Sequence, residues 1–440
     1  MNEEELLTEL TEQNPWWRDG KIKLKDNLIT RDIYPQLINE LKSKQITGLI
    51  GLRQIGKTTI LKQQINHLLN NNINKKNILY FSFDSIKEEK IIKKIIFLYF
   101  SRILKKPAYE LKDTIYLFFD EVQKIKDWSE DLKSFYDKEY PLKIFISGSS
   151  SMNILKGGGE SLIGRINIHK IYPFSFREYL KYNGINPGAM SIYNIKYPPE
   201  AEKIKILFEN YLKIGGLPGL YELEESQLKQ AVKTIIDLTF YRNIVNIFNI
   251  KRTDIMEGLF YCFVKESGNT VNYNNLSFSL KTKFETIKTY IDYLDTSFMI
   301  QKSLFFSKST RKTFEKNPKI YVADNALFLL NGTQTGLVVE TCVFNHLLKY
   351  SNRPSYWQDK KSREVDIILG KKNPLPIEVK YRSTIRKEDF QNVLFFMEEY
   401  KARKGIVVTR NYFEEQKING GKILFIPAWL FLMSEQMNFP

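Results

Sequence analysis

Gly51-Leu52-Arg53-Gln54-Ile55-Gly56-Lys57-Thr58, followed by Thr59, fits the pattern G-x-x-x-x-G-K-[ST]. Ile46-Thr47-Gly48-Leu49-Ile50 precedes it as a short apolar run readable as a buried strand. After it, Ile60, Leu61, Ile65 and Leu68 recur at helical spacing. The order is strand, loop, helix. Glycines at the loop ends let the backbone curl so that successive N–H groups point inward at phosphate oxygens, at the positive end of the following helix. Lys57 reaches the outer phosphates, and the Thr58 hydroxyl is placed to ligate Mg²⁺. The stretch predicts a site for ATP with magnesium.

Ile115-Tyr116-Leu117-Phe118-Phe119 is a second uninterrupted apolar run, consistent with a strand buried on both faces of a parallel sheet, and it ends in Asp120-Glu121. Ligands of open α/β sheets gather at the carboxyl ends of strands, so Asp120 is the expected metal partner and Glu121 the base that polarises the attacking water. A plain alternative is that both acids cap the next helix. Further on, Leu142 to Ile146 reads as a strand ending in Ser147-Gly148-Ser149-Ser150. Ser147 can sense the outer phosphate there, or the cluster is ordinary turn chemistry.

The chain has 440 residues, a length that predicts about two to four domains. Lys and Arg outnumber Asp and Glu by 66 to 50, a net charge of +16. That balance favours polyanionic partners, nucleic acid first, although the lysines are dispersed. Cys262 and Cys342 cannot form a disulfide framework, and His67, His169 and His346 lack paired zinc-ligand spacing. The acidic start Met1-Asn2-Glu3-Glu4-Glu5 is unlike a signal peptide, and no apolar stretch approaches membrane-spanning length, so a soluble cytoplasmic protein without membrane partners is expected.

Residues 1–30 read as an introductory segment whose Pro15-Trp16-Trp17 packs on the next domain. Across 31–173, strands alternate with amphipathic helical stretches, which predicts a three-layer α/β core. Residues 174–250 read as helices broken by Gly215-Gly216-Leu217-Pro218-Gly219, a helical lid. Residues 251–335 read as helices, a short hairpin and a basic patch at Lys308, Arg311, Lys312 and Lys316; a winged helix and a plain helical connector both fit.

From 336 to 440 the character changes. Glu364 to Leu369 and Leu375 to Lys380 are strand-like runs around the turn Gly370-Lys371-Lys372-Asn373-Pro374. A hairpin centred on Lys372 sets Asp366 opposite Glu378, and Lys380 shares a face with Glu378 because side chains two apart do. Such a cluster can hold Mg²⁺ between Asp366 and Glu378, with Lys380 orienting a water and Glu340, on an amphipathic helix, completing the shell. Solvated surface pairs, or a site that binds without cutting, are the alternatives.

With both constellations in view, the chain resembles a prokaryotic AAA-type ATPase family, widespread in archaea, with a carboxyl-terminal restriction-endonuclease-like domain. The matching stretches are Gly51 to Thr59, Leu117 to Gln123, Ile146 to Ser150, Ser161-Leu162-Ile163-Gly164-Arg165, Pro173 to Tyr179, Gly215 to Pro218, and Glu364 to Asp366 with Ile377 to Lys380. The resemblance implies a P-loop NTPase sheet with helical lid, a winged-helix-like middle and a restriction-endonuclease-like end. It implies that Arg165 is similar to an arginine finger serving a neighbouring subunit, hence a homo-oligomer. It also implies that Glu340, Asp366, Glu378 and Lys380 match the PD-(D/E)xK nuclease pattern, with Val365 where the pattern has proline. The function implied is ATP hydrolysis coupled to DNA binding or cleavage, DNA being favoured over RNA; the alternative is an ATP-dependent switch that binds without cutting.

Overall fold

A computed structural model describes residues 2–84, 91–149, 162–192, 194–332, 334–350, 354–418 and 420–435. Ser150 and Ser161, part of the motifs above, lie outside them. The chain divides into two compact units, Met1–Tyr172 and Pro173–Pro440.

In the first unit, β1 (Ile46–Ile50), β2 (Ile78–Ser82), β3 (Ile115–Asp120), β4 (Leu142–Gly148) and β5 (Ile166–Lys170) form one sheet in the order β2-β3-β4-β1-β5. Every pairing is parallel. Leu117, Phe118, Phe119, Phe145 and Ile146 are buried, so the apolar runs have the double-sided burial that parallel strands require. The order carries function: β4 lies between β1 and β3, so the carboxyl ends of three adjacent strands deliver the loop at Gly51, Ser147 and Asp120 to one edge.

The outer edge of β2 is closed by the segment before the core. The Asn14 side chain pairs with the Tyr80 backbone, Nδ2 donating to the carbonyl at 2.8 Å and Oδ1 accepting the amide at 2.7 Å. Trp16 and Trp17 donate their Nε1 protons to the Ile78 carbonyl at 3.2 and 2.8 Å, and Gln13 accepts from Ser82 N at 2.7 Å. Side chains thus satisfy main-chain groups that would otherwise be open to a second strand.

In the second unit, β6 (Ile300–Phe305), β7 (Lys319–Val322), β8 (Ser355–Gln358), β9 (Glu364–Leu369), β10 (Leu375–Lys380), β11 (Lys404–Thr409), β12 (Glu414–Ile418) and β13 (Gly421–Pro427) form a mixed sheet in the order β12-β13-β11-β10-β9-β8-β6-β7. β9 and β10 are antiparallel, with Leu375 opposite Leu369 and Ile377 opposite Ile367, a register centred on Lys372. β11 runs parallel to β10. The Lys387–Tyr400 helix seats Val393, Phe396 and Met397 on Val365, Ile368 and Val407, and the Thr335–Tyr350 helix packs on β7 and β10.

The segments expected at 174–250 and 251–335 both belong to the second unit. Residues 174–250 are largely helical but fall in the second unit, where the Gly-Gly turn is a packed junction: Gly216 N donates to Asp324 Oδ2 at 2.8 Å, and its carbonyl accepts from Phe174 N at 2.7 Å. Residues 251–335 supply helices Thr253–Lys265, Tyr273–Ser279 and Phe284–Thr296 and then β6 and β7. That hairpin is not free-standing, because β6 pairs antiparallel with β7 and parallel with β8, carrying the sheet across the expected break at 335/336.

Candidate functional site

At the end of β1 the main chain turns so tightly that a Cβ on Gly51 would lie 2.2 Å from the Ile171 carbonyl oxygen. Gly56, just before the Lys57–Asn70 helix, has φ +92°, a conformation that side chains rarely adopt. Between them, Leu52 and Ile55 are buried and anchor the loop. Arg31 clamps it from behind, donating to the Ile55 carbonyl at 2.9 Å and the Tyr172 carbonyl at 2.6 Å.

Lys57 is 5% exposed and donates to the carbonyls of Gly51 and Leu52 at 3.0 and 2.8 Å. Burial lowers its pKa, while Glu121 and Asp120 oppose that shift. The Thr58 hydroxyl donates to Asp120 Oδ2 at 2.6 Å. The two groups expected to share a metal therefore meet across the strand that separates them. Tyr80 OH donates to the same oxygen at 3.0 Å, and Ser147 Oγ donates to Asp120 Oδ1. Burial, then Asp120, raise the Tyr80 pKa, so the phenol keeps its proton.

Glu121 takes the left-handed conformation, φ 57° and ψ 40°, which turns it away from the strand direction. Its N–H donates to Ser147 Oγ at 3.2 Å, and its Oε2 accepts from Gln123 Nε2 at 2.6 Å and Ser149 Oγ at 3.2 Å. It is therefore held at the strand end as an acceptor rather than serving as a helix cap, for which no side-chain hydrogen bond exists.

These residues fit Mg·ATP. The turn at Gly51 admits no side chain, the Gly56 Cβ position faces open space, and Arg53 has a buried Nε with no hydrogen-bond partner. Phosphate oxygens are suited to all three features.

Ser147 holds Asp120 and the Glu121 amide. Its hydroxyl, expected at the outer phosphate, is engaged on the neighbouring strand in a positioning contact. Arg165 lies before Ile166, which pairs with Ile46 at the opposite end of β1 from the loop. Roughly 15 Å of strand separates it from Gly51. Its Nε donates to Asp137 Oδ1 at 2.7 Å, so the structure does not bring it to this chain's own loop.

The carboxyl-terminal residues do converge. Val379 N donates to Asp366 Oδ2 at 2.9 Å, Asp366 N to Glu378 Oε2 at 3.4 Å, and Lys380 Nζ to Glu378 Oε1 at 2.5 Å. Tyr321 OH donates to Glu340 Oε1 at 2.8 Å. Burial and then the Asp366 charge push Glu340 up to about 7 and Glu378 up to about 8. The cluster also holds a residue the spacing did not reveal. Lys319, 2% exposed, sets its ammonium 2.5 Å from Glu364 Oε1, 3.6 Å from Glu340 Oε1 and 3.7 Å from Asp366 Oδ1. Burial opposes its charge, but Tyr321, Glu340, Asp366 and Glu364 outweigh it and raise its pKa.

Asp366 and Glu378 are thus brought together across the hairpin, as its register predicts. Their oxygens face donors of the chain itself, and among the described residues no three His, Cys, Asp or Glu side chains are disposed to hold a metal ion. A hard divalent cation needs free oxygen lone pairs. Lys319 left one trace in the sequence, the alternation Lys319-Ile320-Tyr321 that puts it on the face of Tyr321.

None of the described helices is long and apolar enough to cross a membrane. Three family models match the chain: an AAA domain over residues 43–180, a domain of unknown function (DUF8612) over 205–335, and another (DUF4143) over 335–431. An uncharacterized protein of Haemophilus influenzae is 25% identical over 418 residues, covering 92% of this chain and 98% of that protein. Among solved structures, the Walker-type ATPase PABY2304 of Pyrococcus abyssi has a TM-score of 0.42 at 15% identity, covering 71% of this chain and 99% of its own. The uncharacterized protein MJ1544 of Methanocaldococcus jannaschii is 30% identical over 372 residues, which cover 82% of this chain and 79% of that protein. The chain belongs to the family of MJ1544 and carries an AAA-type ATPase domain.

Proposed function

We propose that the protein hydrolyses ATP with magnesium and couples nucleotide state to DNA binding or cleavage by its second unit. The observation that carries the ATPase part is the 2.6 Å contact between Thr58 and Asp120 beside the buried ammonium of Lys57. Magnesium, when bound, supplies charge neutralisation between the phosphates. Thr58 and Asp120 would hold it. Lys57 exchanges its loop carbonyls for phosphate oxygens. Glu121 draws a proton from the attacking water, while Ser147, Ser149 and Gln123 keep it aimed. Arg165 serves the site of a neighbouring subunit in a homo-oligomer, where its guanidinium meets the outer phosphate.

The nucleic-acid part is supported by the net charge of +16 and by topology. A helix, the antiparallel strands β8, β9 and β10, a second helix and the parallel strand β11 follow one another in a restriction-endonuclease-like order. A second reading, an ATP-dependent regulatory or assembly switch whose carboxyl-terminal fold binds nucleic acid or protein without cutting, is favoured by Lys319 within the carboxylate cluster.

ATP turnover by the purified chain, with and without Mg²⁺, DNA and RNA and monitored in parallel for strand breaks, tests both. Turnover stimulated by DNA, with breaks lost in Asp366→Ala, supports the first. Stimulation without breaks supports the switch, and absence of Mg-dependent turnover removes the ATPase assignment.

A further inference from the structure

Three carboxylate oxygens surround one ammonium in the second unit. Lys319 Nζ lies 2.5 Å from Glu364 Oε1, 3.6 Å from Glu340 Oε1 and 3.7 Å from Asp366 Oδ1. Several neighbouring acceptors are engaged as well. Gln358 Nε2 faces Glu364 Oε2 at 3.4 Å, Tyr321 OH shares Glu340 Oε1, and Val379 N holds Asp366 Oδ2. Glu378 is shared between Lys380 and the Asp366 amide.

An ammonium has three donors and one charge, and here it finds three oxygens on two other elements: β9, which carries Glu364 and Asp366, and the helix that carries Glu340, while Lys319 itself sits on β7 with Tyr321. A divalent ion bridging the same carboxylates would need their lone pairs at about 2.0–2.6 Å and would meet a like charge where Lys319 sits. Lys319 cannot easily withdraw. It is 2% exposed, its strand pairs with β6 through Ser303↔Lys319, and a further bridge joins it to Thr270.

We infer that Lys319 is the resident cation of this cluster: its ammonium bridges Glu340, Glu364 and Asp366 in place of a divalent metal, so the native cluster takes up none. The inference deepens the binding-without-cutting reading by naming what fills the site. The site is also composite, since the cation comes from the segment matched over 205–335 and the carboxylates from the segment matched over 335–431. Removing the ammonium opens a position that oxygen-seeking divalent cations can fill.

The test uses Mn²⁺ binding to the full chain, nucleotide-free, followed by electron paramagnetic resonance. An Asp120→Asn background removes the metal position of the nucleotide site. In that background Asp366→Asn should leave Mn²⁺ binding unchanged. Lys319→Met, of similar length without charge, should add a Mn²⁺ site at least about tenfold tighter than any residual binding of the Asp120→Asn protein, and that site should vanish in Lys319→Met/Asp366→Asn. A merely structural lysine would produce no such gain. Mn²⁺ binding to the Asp120→Asn protein that Asp366→Asn abolishes overturns the inference, as does a folded Lys319→Met protein with no added site. Should Lys319→Met fail to fold, the comparison of the Asp120→Asn protein with and without Asp366→Asn decides alone. ATP turnover is not read, so this failure is distinct from failure of the ATPase assignment.

Discussion

Glu121→Gln separates binding from chemistry at the nucleotide site. Glu121 already occupies φ 57°, and glutamine has the same backbone freedom, so the substitution adds no strain there. Its Oε2 contacts, Gln123 Nε2 at 2.6 Å and Ser149 Oγ at 3.2 Å, can be kept by an amide oxygen. What is lost is the charge assistance of those bonds, about 1 kcal/mol of stability. Proton abstraction by a positioned base contributes about 10²–10⁴-fold, so kcat for ATP should fall by that factor, roughly 3–5 kcal/mol in the barrier. Mg·ATP affinity should stay within about threefold, because Lys57, Thr58 and Asp120 are untouched. Turnover by phosphate release and affinity by titration with a fluorescent ATP analogue give both numbers. Turnover within about twofold of the parent would falsify the base assignment, and loss of affinity in step with turnover would show that Glu121 acts in binding instead.

Lys57→Ala removes the ammonium that rests on the loop carbonyls of Gly51 and Leu52, and ATP binding should become undetectable by the same titration; retained affinity would count against the phosphate-loop assignment. Gly51→Ala places a methyl 2.2 Å from the Ile171 carbonyl and should cost nucleotide affinity and lower the melting temperature of the first unit, whereas normal values would mean that the turn is slack. Burial pushes Asp324 from its ordinary 3.8 up to about 7, so the folded chain holds a proton that the unfolded chain releases between those values. Its contribution is therefore complete below about pH 4 and is lost as pH rises to about 7, on the order of 4 kcal/mol, and Asp324→Asn should flatten the fall of the urea midpoint over that window. A slope unchanged by Asp324→Asn would assign the dependence elsewhere. Arg165→Ala should slow ATP turnover in assembled protein without weakening ATP binding by isolated subunits; a strictly monomeric, fully active parent would contradict the role in trans.

What the sequence made legible is local. The turn at Gly51, the paired acids after Ile115–Phe119 and the hairpin about Lys372 each depend on neighbours within one or two elements, where spacing and backbone geometry speak directly. The partners that complete the sites arrive over long distances. Tyr80 reaches Asp120 because β2 lies beside β3, and Arg31 reaches the loop from before the first strand. Lys319 is not legible in the sequence for a physical reason: a lysine in a short alternating strand is ordinarily the solvated half of it, and here the β6–β8 pairing brings that strand beside the carboxylates. Trp16 and Trp17 are visible in the sequence as packing residues and Asn14 is not, and the pairing of all three with β2 depends on which strand lies at the sheet edge.

The strand β6, hydrogen-bonded to β7 on one side and β8 on the other, has a consequence for how such chains can be rearranged. Recombination that exchanged one of the two flanking segments alone would strip a ladder of main-chain bonds from its remaining neighbour and orphan either an ammonium or its carboxylates. A chimera that keeps the two segments together is the one that preserves a continuous sheet.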